Sequence, residues 1–196
     1  LACDLELAAA QLDLVALDAL IEANPEPPGL ALVKTEVLLS KQDWIGVLDT
    51  AAPLLEILPE EPMLHRGVAT AAAASGDWPR ARAAAEKAAD LEPGWLDMPH
   101  LIGRLDHRLE GDPAAAVVRL QAVTEAPGFE RYSDRATTWR DLAAAALEVD
   151  ENDLAIRAAD AAAALDPSDP ICRLQRAWAF HQKGDRTGFM SEISEV

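Results

Sequence analysis

The chain has 196 residues, half of them hydrophobic, with one Tyr and three Phe, and a formal net charge of −17. Thirty-four carboxylates against 17 Lys and Arg argue against nucleic-acid binding and against an anionic membrane surface, because both partners are themselves polyanionic. Ala and Leu dominate the hydrophobic half and are strong helix formers, whereas strands favour β-branched and aromatic residues. The composition therefore predicts an all-α fold.

The first predicted element is a lone helix at 5–24, followed by Pro25. Cys3 and Cys172 lie far apart and form no CxxC pair, so we predict neither a disulfide framework nor a zinc site. No stretch is long and apolar enough to span a membrane. Because the chain does not begin with Met, we expect it to be a segment of a longer protein.

Prolines then recur at a fixed interval. Pro25, Pro59, Pro93 and Pro127 are each 34 residues apart, and Pro167 follows after 40. An amphipathic run precedes the later prolines, and a proline after such a run stops a helix. The interval predicts a repeat with one helical unit per period.

A Gly-Asp turn divides each of several units, at Gly76-Asp77, Gly111-Asp112 and Gly184-Asp185. Gly permits the left-handed conformation that ends one helix, and Asp can cap the next by accepting a bond from its free amides. Each unit is therefore predicted to be a helix, a tight turn, a second helix and a stop.

These residues resemble the tetratricopeptide repeat (TPR) family, which has small residues where neighbouring helices approach closely. The fourth unit fits best, with Trp139, Leu142, Ala143, Ala155, Ala162 and Pro167; the third fits at Gly103, Ala115 and Ala122, with its Gly-Asp turn one residue late. The resemblance implies a single right-handed α-solenoid of stacked helix-turn-helix repeats. The implied boundaries are an N-terminal helix at 5–24, repeat 1 at 28–61, repeat 2 at 62–95, repeat 3 at 96–129, an insertion at 130–135, repeat 4 at 136–169 and a partial repeat 5 at 170–196.

Two departures from the repeat pattern matter. Pro53 lies inside the second helix of repeat 1 and should kink it near Asp49, because proline removes a backbone hydrogen bond. Six surplus residues around 128–135 either lengthen a loop or extend the next helix backwards. Insertions in solenoids often lie at a binding face, and a plain surface loop is the alternative.

The five tryptophans have different predicted roles. Trp44 and Trp78 each follow a capping Asp and are predicted to pack, as is Trp139 at the large core position. Trp95 is predicted to cover a helix end. Trp178 falls on the groove side of partial repeat 5. It could either contact a ligand or be buried in the core at the end of the repeat array.

No catalytic or phosphate-binding motif is present. His100 and His107 are two helical turns apart, roughly 10 Å along the axis, which is too far for one metal ion. We therefore predict no enzyme activity, no metal and no cofactor.

The resemblance implies that ligand contacts come from the first helices, which line a concave groove. A basic patch there, within an acidic chain, predicts binding of an acidic segment or a terminal carboxylate, since Arg holds a carboxylate with two parallel bonds. Alternatively, these arginines pair with Asp97, Asp106 and Asp141. The predicted groove residues are Arg66, Thr70, His100, Arg104, His107, Arg108, Arg140 and Trp178.

The sequence thus predicts a non-catalytic scaffold that binds a protein or peptide. Two alternatives are a docking or regulatory region of a larger enzyme, and a self-assembly module in which end helices stack between chains. The oligomeric state is not predicted. The Ala- and Arg-rich composition favours a bacterial source, and the two distant cysteines are compatible with a reducing cytoplasm.

Overall fold

The computed structural model describes residues 14–23, 28–109 and 111–194, and within these ranges it is helical without strands. The predicted all-α fold of stacked helix-turn-helix repeats is confirmed. The start of the predicted helix at 5–24, together with Cys3 and Pro25, lies outside the described residues. The helices are α1 Leu14–Ala23, α2 Gly29–Ser40, α3 Trp44–Ile57, α4 Pro62–Ser75, α5 Trp78–Leu91, α6 Asp97–Arg108, α7 Pro113–Glu125, α8 Arg135–Glu148, α9 Asn152–Leu165, α10 Pro170–Gln182 and α11 Arg186–Ser194.

The chain divides into two compact units, Leu1–Pro93 and Gly94–Val196, here called unit 1 and unit 2. Unit 1 pairs α2 with α3 and α4 with α5, and α1 packs against α2. The first helices α2 and α4 also touch each other. Small side chains let these helices approach closely, so the interior of unit 1 is rich in alanine. Its buried residues include Leu38, Val47, Ala51, Leu64, Ala69, Ala72, Ala81, Ala85 and Ala88.

Unit 2 pairs α6 with α7, α8 with α9 and α10 with α11. Its first helices are neighbours in order, because α6 contacts α8 and α8 contacts α10. Gly103 on α6 has no room for a side chain, since an added Cβ would lie 2.8 Å from Cγ of the fully buried Leu120. Its core includes Ala116, Leu120, Leu142, Ala143, Ala146, Ala155, Ala158 and Ala159.

The turn inside each helix pair follows one design. A residue with positive φ ends the first helix; it is Gly76, Gly111 or Gly184 in three turns, and Gln42 (58°) and Asp150 (60°) in two others. The next residue stands just before the second helix, and in four turns it is an Asp that caps this helix by accepting a backbone hydrogen bond at 2.9–3.3 Å. These four caps are Asp43 to Gly46 N, Asp77 to Arg80 N, Asp112 to Ala115 N and Asp185 to Gly188 N.

The late turn of the third repeat shifts its core positions. Ala122 is exposed and Ala115 is partly exposed, so their predicted role as small core residues is wrong. Ala116 and Val123 are buried instead. Because Asp112 caps α7 one residue later than the repeat pattern requires, these two small core positions also move by one residue.

The structure also shows how the irregular positions of the sequence are accommodated. The six surplus residues lengthen the connection, with a short 3-10 helix at Phe129–Arg131, and α8 starts only at Arg135. Asp97 is the first residue of α6, and Leu96 holds the N-cap position. Trp78, expected to pack, is 41% exposed. Helix α3 continues through Pro53, whose side chain faces solvent.

Candidate binding site on the first helices of unit 2

The predicted groove residues fall on first helices of both units. Arg66 and Thr70 lie on α4 of unit 1, both partly buried, and the Thr70 hydroxyl donates to the Arg66 carbonyl at 2.9 Å. Such a bond to the carbonyl four residues earlier is a common local arrangement of Thr in helices. The other six predicted residues lie on α6, α8 and α10 of unit 2.

Three of these six converge on one carboxylate in unit 2. Asp141, on α8, is buried, and its Oδ2 lies 3.1 Å from Nε2 of the equally buried His100. Arg104 Nε lies 3.5 Å from the same oxygen, and Arg108 Nη2 lies 3.7 Å from Oδ1. We call His100, Arg104, Arg108 and Asp141 the Asp141 cluster. It joins α6 to α8.

His100 also contacts two hydroxyl groups. Its Nδ1 lies 3.1 Å from the Tyr132 hydroxyl and 3.4 Å from Thr138 Oγ1, and Thr138 itself donates to the Asp134 carbonyl. An ionised carboxylate can only accept hydrogen bonds, so His100 Nε2 must carry the proton that faces Asp141. His100 is therefore fixed on both sides of its ring.

The charge of Asp141 is stabilised despite its burial. Burial acts to raise the pKa of Asp141, but the hydrogen bond from His100 and the charges of Arg104 and Arg108 outweigh it and hold this pKa below its ordinary value. The carboxylate is therefore ionised at neutral pH.

The arginines form the open side of the cluster. The side chains of Arg104 and Arg108 are 42% and 60% exposed, and Asp141 is the only carboxylate within 4 Å of either in the part of the chain that the structure describes. Within that part, Arg104 Nε is buried without a hydrogen-bond partner. Two guanidinium groups and one carboxylate leave a net positive charge, and a single carboxylate cannot satisfy all ten N–H donors of the two arginines.

His107 and Arg140 are already paired between helices. His107 Nε2 lies 2.9 Å from Glu148 Oε1, and Arg140 Nη1 donates to Asp169 Oδ2 at 3.0 Å. Of the carboxylates expected to pair with groove arginines, Asp141 does so. Arg140 instead bonds Asp169, which sequence reasoning missed, and Asp106 accepts from Arg119 on α7 at 2.9 Å.

Trp178 is exposed and does not belong to the core. Its side chain is 54% exposed and packs beside His181, with ring centroids 5.4 Å apart, while its neighbour Leu174 is 55% exposed. By repeat position, Leu174 and Trp178 on α10 correspond to His100 and Arg104 on α6. The first-helix face of unit 2 thus changes from cationic on α6 to apolar on α10.

Sequence reasoning missed Tyr132 and Thr138 as partners of His100. Tyr132 belongs to the insertion, whose residues have no repeat position from which a role can be carried over. The available signal was the pair of aromatic residues, Phe129 and Tyr132, in a segment that would otherwise be a polar loop.

A cleft lies apart from this cluster. An open cleft of about 420 Å³ at the α8–α9 turn is lined by both acidic and basic residues, with Lys183 paired to Asp153, and includes no predicted groove residue. Within the described ranges, no helix has the length and apolar character needed to cross a bilayer. No group of three or more His, Cys, Asp or Glu side chains there is arranged to hold a metal ion.

Solved structures match this arrangement of helices over most of the chain. YrrB, described as a TPR protein with an unusual peptide-binding site, matches with a TM-score of 0.78 at 17% identity, covering 92% of this chain and 90% of YrrB. The chain has a tetratricopeptide-repeat fold. MamA matches this TPR chain at 0.74 and 16% identity, over 88% of the chain and 91% of MamA. A tetratricopeptide repeat protein from Parabacteroides merdae matches at 0.71 and 16% identity, over 98% and 75%.

The sequence comparisons add nothing to the TPR assignment: no family model matches the chain, and no curated protein matches its sequence. At 16–17% identity the structural likeness establishes the fold alone. The resemblance seen in the repeat pattern is thereby confirmed as a TPR fold, and function must be argued from the residues of the site.

Proposed function

We propose that this chain is a non-catalytic protein-binding module that takes up an acidic peptide segment or a terminal carboxylate on the first helices of unit 2. The observation that carries the proposal is the Asp141 cluster. It combines a buried, ionised carboxylate with two arginines that it holds in place while their outer nitrogens remain exposed.

The chemistry of the cluster fits a carboxylate. A guanidinium group presents two parallel N–H donors that match the two oxygens of a carboxylate, and Arg104 and Arg108 are one helical turn apart on α6. In a chain with a net charge of −17, an anionic peptide is repelled by most of the surface. A local excess of positive charge would therefore also select the place where such a peptide docks.

The remaining predicted groove residues have subsidiary roles in this proposal. His107 and Arg140 flank the cluster and would exchange or share their present partners, Glu148 and Asp169, with the ligand. Trp178 would receive an apolar side chain of the same peptide on α10. For Arg66 and Thr70 on α4, we propose separate ligand contacts within unit 1.

Selection from a library of random peptides with free C-termini tests the proposal. We expect the wild-type chain to enrich peptides with Asp, Glu or a required terminal carboxylate. A selected peptide is then titrated against Arg104→Gln with Arg108→Gln, and against a matched control, Arg80→Gln with Arg186→Gln, two exposed arginines on other helices.

The cluster variant should lose at least about tenfold in affinity, or about 1.4 kcal/mol, while the control stays within about twofold. Wild-type affinity should also fall as salt is raised, because the contact is between charges. Enrichment of peptides without carboxylates, or equal binding by the cluster variant, would show that the proposed function is wrong.

A second candidate function is self-association through α10. Leu174 and Trp178 form an exposed apolar surface on α10, and the residue of α6 equivalent to Leu174, His100, is buried where α6 meets α8. Sedimentation at high concentration compares wild type with Leu174→Glu and with Ile45→Glu, an exposed residue of α3 in unit 1. Self-association that only the first variant abolishes supports this candidate, and a strict monomer removes it.

A further inference from the structure

We infer that Tyr132, in the insertion between α7 and α8, is a positioning residue that acts through His100 to hold Asp141 and thereby the two ligand-binding arginines. The inference rests on the proposed function and deepens it. It assigns a purpose to the six surplus residues that interrupt the repeat.

The insertion is fixed to the site by aromatic packing. Phe129 is buried and meets the Trp139 ring edge-on, with centroids 5.8 Å apart, and Phe129 and Tyr132 pack against each other at 6.3 Å. Tyr132 in turn meets the His100 ring edge-on at 6.0 Å. These contacts place the Tyr132 hydroxyl 3.1 Å from His100 Nδ1.

The available protons give Tyr132 a role that Thr138 cannot fill. Thr138 donates its only hydroxyl proton to the Asp134 carbonyl, so toward His100 it can only accept. We infer that His100 is the neutral imidazole with its single proton on Nε2, directed at Asp141, so Nδ1 is an acceptor that needs a donor. Among the described residues that contact Nδ1, Tyr132 alone can supply one.

Removing this donor changes what Asp141 receives. Without the Tyr132 hydroxyl, a neutral His100 is best satisfied by moving its proton to Nδ1 and donating to Thr138. Nε2 then presents a lone pair to the Asp141 carboxylate, which repels it. Asp141 would turn toward Arg104 and Arg108, and a carboxylate that holds the arginines more closely leaves fewer of their donors for a ligand.

The variant Tyr132→Phe tests this link because it removes one oxygen and keeps the aromatic packing. In wild type, long-range proton–nitrogen NMR of the imidazole should show the proton on His100 Nε2, and in the variant it should shift toward Nδ1. Affinity for an acidic peptide selected on wild type should fall about three- to tenfold. Ser133→Ala, an exposed neighbour in the insertion, is the matched control and should change neither.

A second background separates positioning from simple packing. His100→Gln keeps an N–H donor for Asp141 but has no ring nitrogen that depends on Tyr132. In that background Tyr132→Phe should cost less than about twofold in affinity, so the two substitutions should be strongly non-additive. Additive losses would overturn the inference and would assign Tyr132 a packing role.

The outcomes also separate this inference from the proposed function. If wild type binds no acidic peptide, the proposed function is wrong and the inference falls with it. If wild type binds through Arg104 and Arg108, but Tyr132→Phe leaves both the imidazole spectrum and the affinity unchanged, the inference alone is overturned.

Discussion

The two units fill the same repeat position in opposite ways. In unit 1, where α2 meets α4, the position holds Gly67, and an added Cβ there would lie 3.3 Å from Thr35 Cγ2 and 3.4 Å from Leu39 Cδ1. In unit 2, where α6 meets α8, it holds the buried Asp141. The α2–α4 contact at Gly67 needs only close packing. At the α6–α8 contact, the free-energy cost of burying the Asp141 carboxylate must be offset by hydrogen-bond donors and cations. We therefore expect ligand binding at the α6–α8 contact, where charged groups are buried, and not at the α2–α4 contact.

The largest expected effect comes from removing that carboxylate. Asp141→Ala leaves the His100 donor without its acceptor and two arginines without their counter-charge, so unit 2 should lose about 2–3 kcal/mol of stability. Hydrogen exchange of the α6 and α8 amides measures this locally. In unit 1, Gly67→Ala should cost less than about 1 kcal/mol, because a small movement of the Thr35 methyl accommodates the Cβ. Equal losses in the two variants would remove the contrast between the two contacts.

A slightly smaller loss of stability is expected from a substitution at Gly103, where α6 packs tightly against α7 in unit 2. The added Cβ of Gly103→Ala would lie 2.8 Å from two carbons of Leu120, whose side chain is fully buried. We expect a loss of about 2 kcal/mol in the free energy of unfolding, measured by chemical denaturation. Combining Gly103→Ala with Leu120→Val should restore part of it, since the clash is between these two side chains. A pair that is merely additive would contradict this explanation.

Acid should destabilise the α6–α8 contact at Asp141 more than the α2–α4 contact at Gly67. The pKa of Asp141 is lower in the folded chain than in the unfolded chain, where an Asp has a pKa of about 3.9. The stabilisation by ionised Asp141 is therefore fully present above that pH and is lost as the pH falls through the pKa that Asp141 has in the folded chain. Protection of α6 and α8 amides should therefore decline below about pH 4 in wild type and decline less steeply in Asp141→Asn. Identical acid profiles in the two proteins would show that this carboxylate does not couple to folding.

The smallest effects are expected at the two turns that lack glycine, one in each unit. Gln42 and Asp150 hold positive φ, which a side chain disfavours, so Gln42→Gly and Asp150→Gly should each stabilise the protein by about 0.5–1 kcal/mol. Thermal unfolding measures the gain. Gly76→Ala, at the equivalent turn, is the reverse control and should destabilise by a similar amount. A loss at Gln42→Gly would mean that its side chain contributes more than the strain costs.

The fold was predictable because its signals are local and repeated. A proline every 34 residues and the turns at Gly76-Asp77, Gly111-Asp112 and Gly184-Asp185 each specify a helix end without knowledge of tertiary contacts. The error in α7 has the same origin. The repeat pattern placed Ala115 and Ala122 in the core. The capping residue, Asp112, stands one residue later than in the repeat pattern, and it sets the register of α7.

The candidate site was predictable only for residues that have a position in the repeat. Position on α6 identified His100, Arg104 and Arg108, and charge identified Asp141 as a partner for the arginines. Tyr132 lies in the insertion, outside any register, and its hydroxyl reaches His100 only because the chain folds back between α7 and α8. Contacts made by an irregular segment cannot be carried over from a periodic pattern.

Asp169 shows how a helix start and a connection between helices can share one side chain. Its Oδ1 accepts the Ile171 amide at the beginning of α10, while Oδ2 accepts Arg140 from α8. Because the two tasks use separate oxygens, a peptide carboxylate that drew Arg140 away would leave the first turn of α10 capped. Engagement of a ligand would then loosen the attachment of α10 to α8 without unravelling either helix.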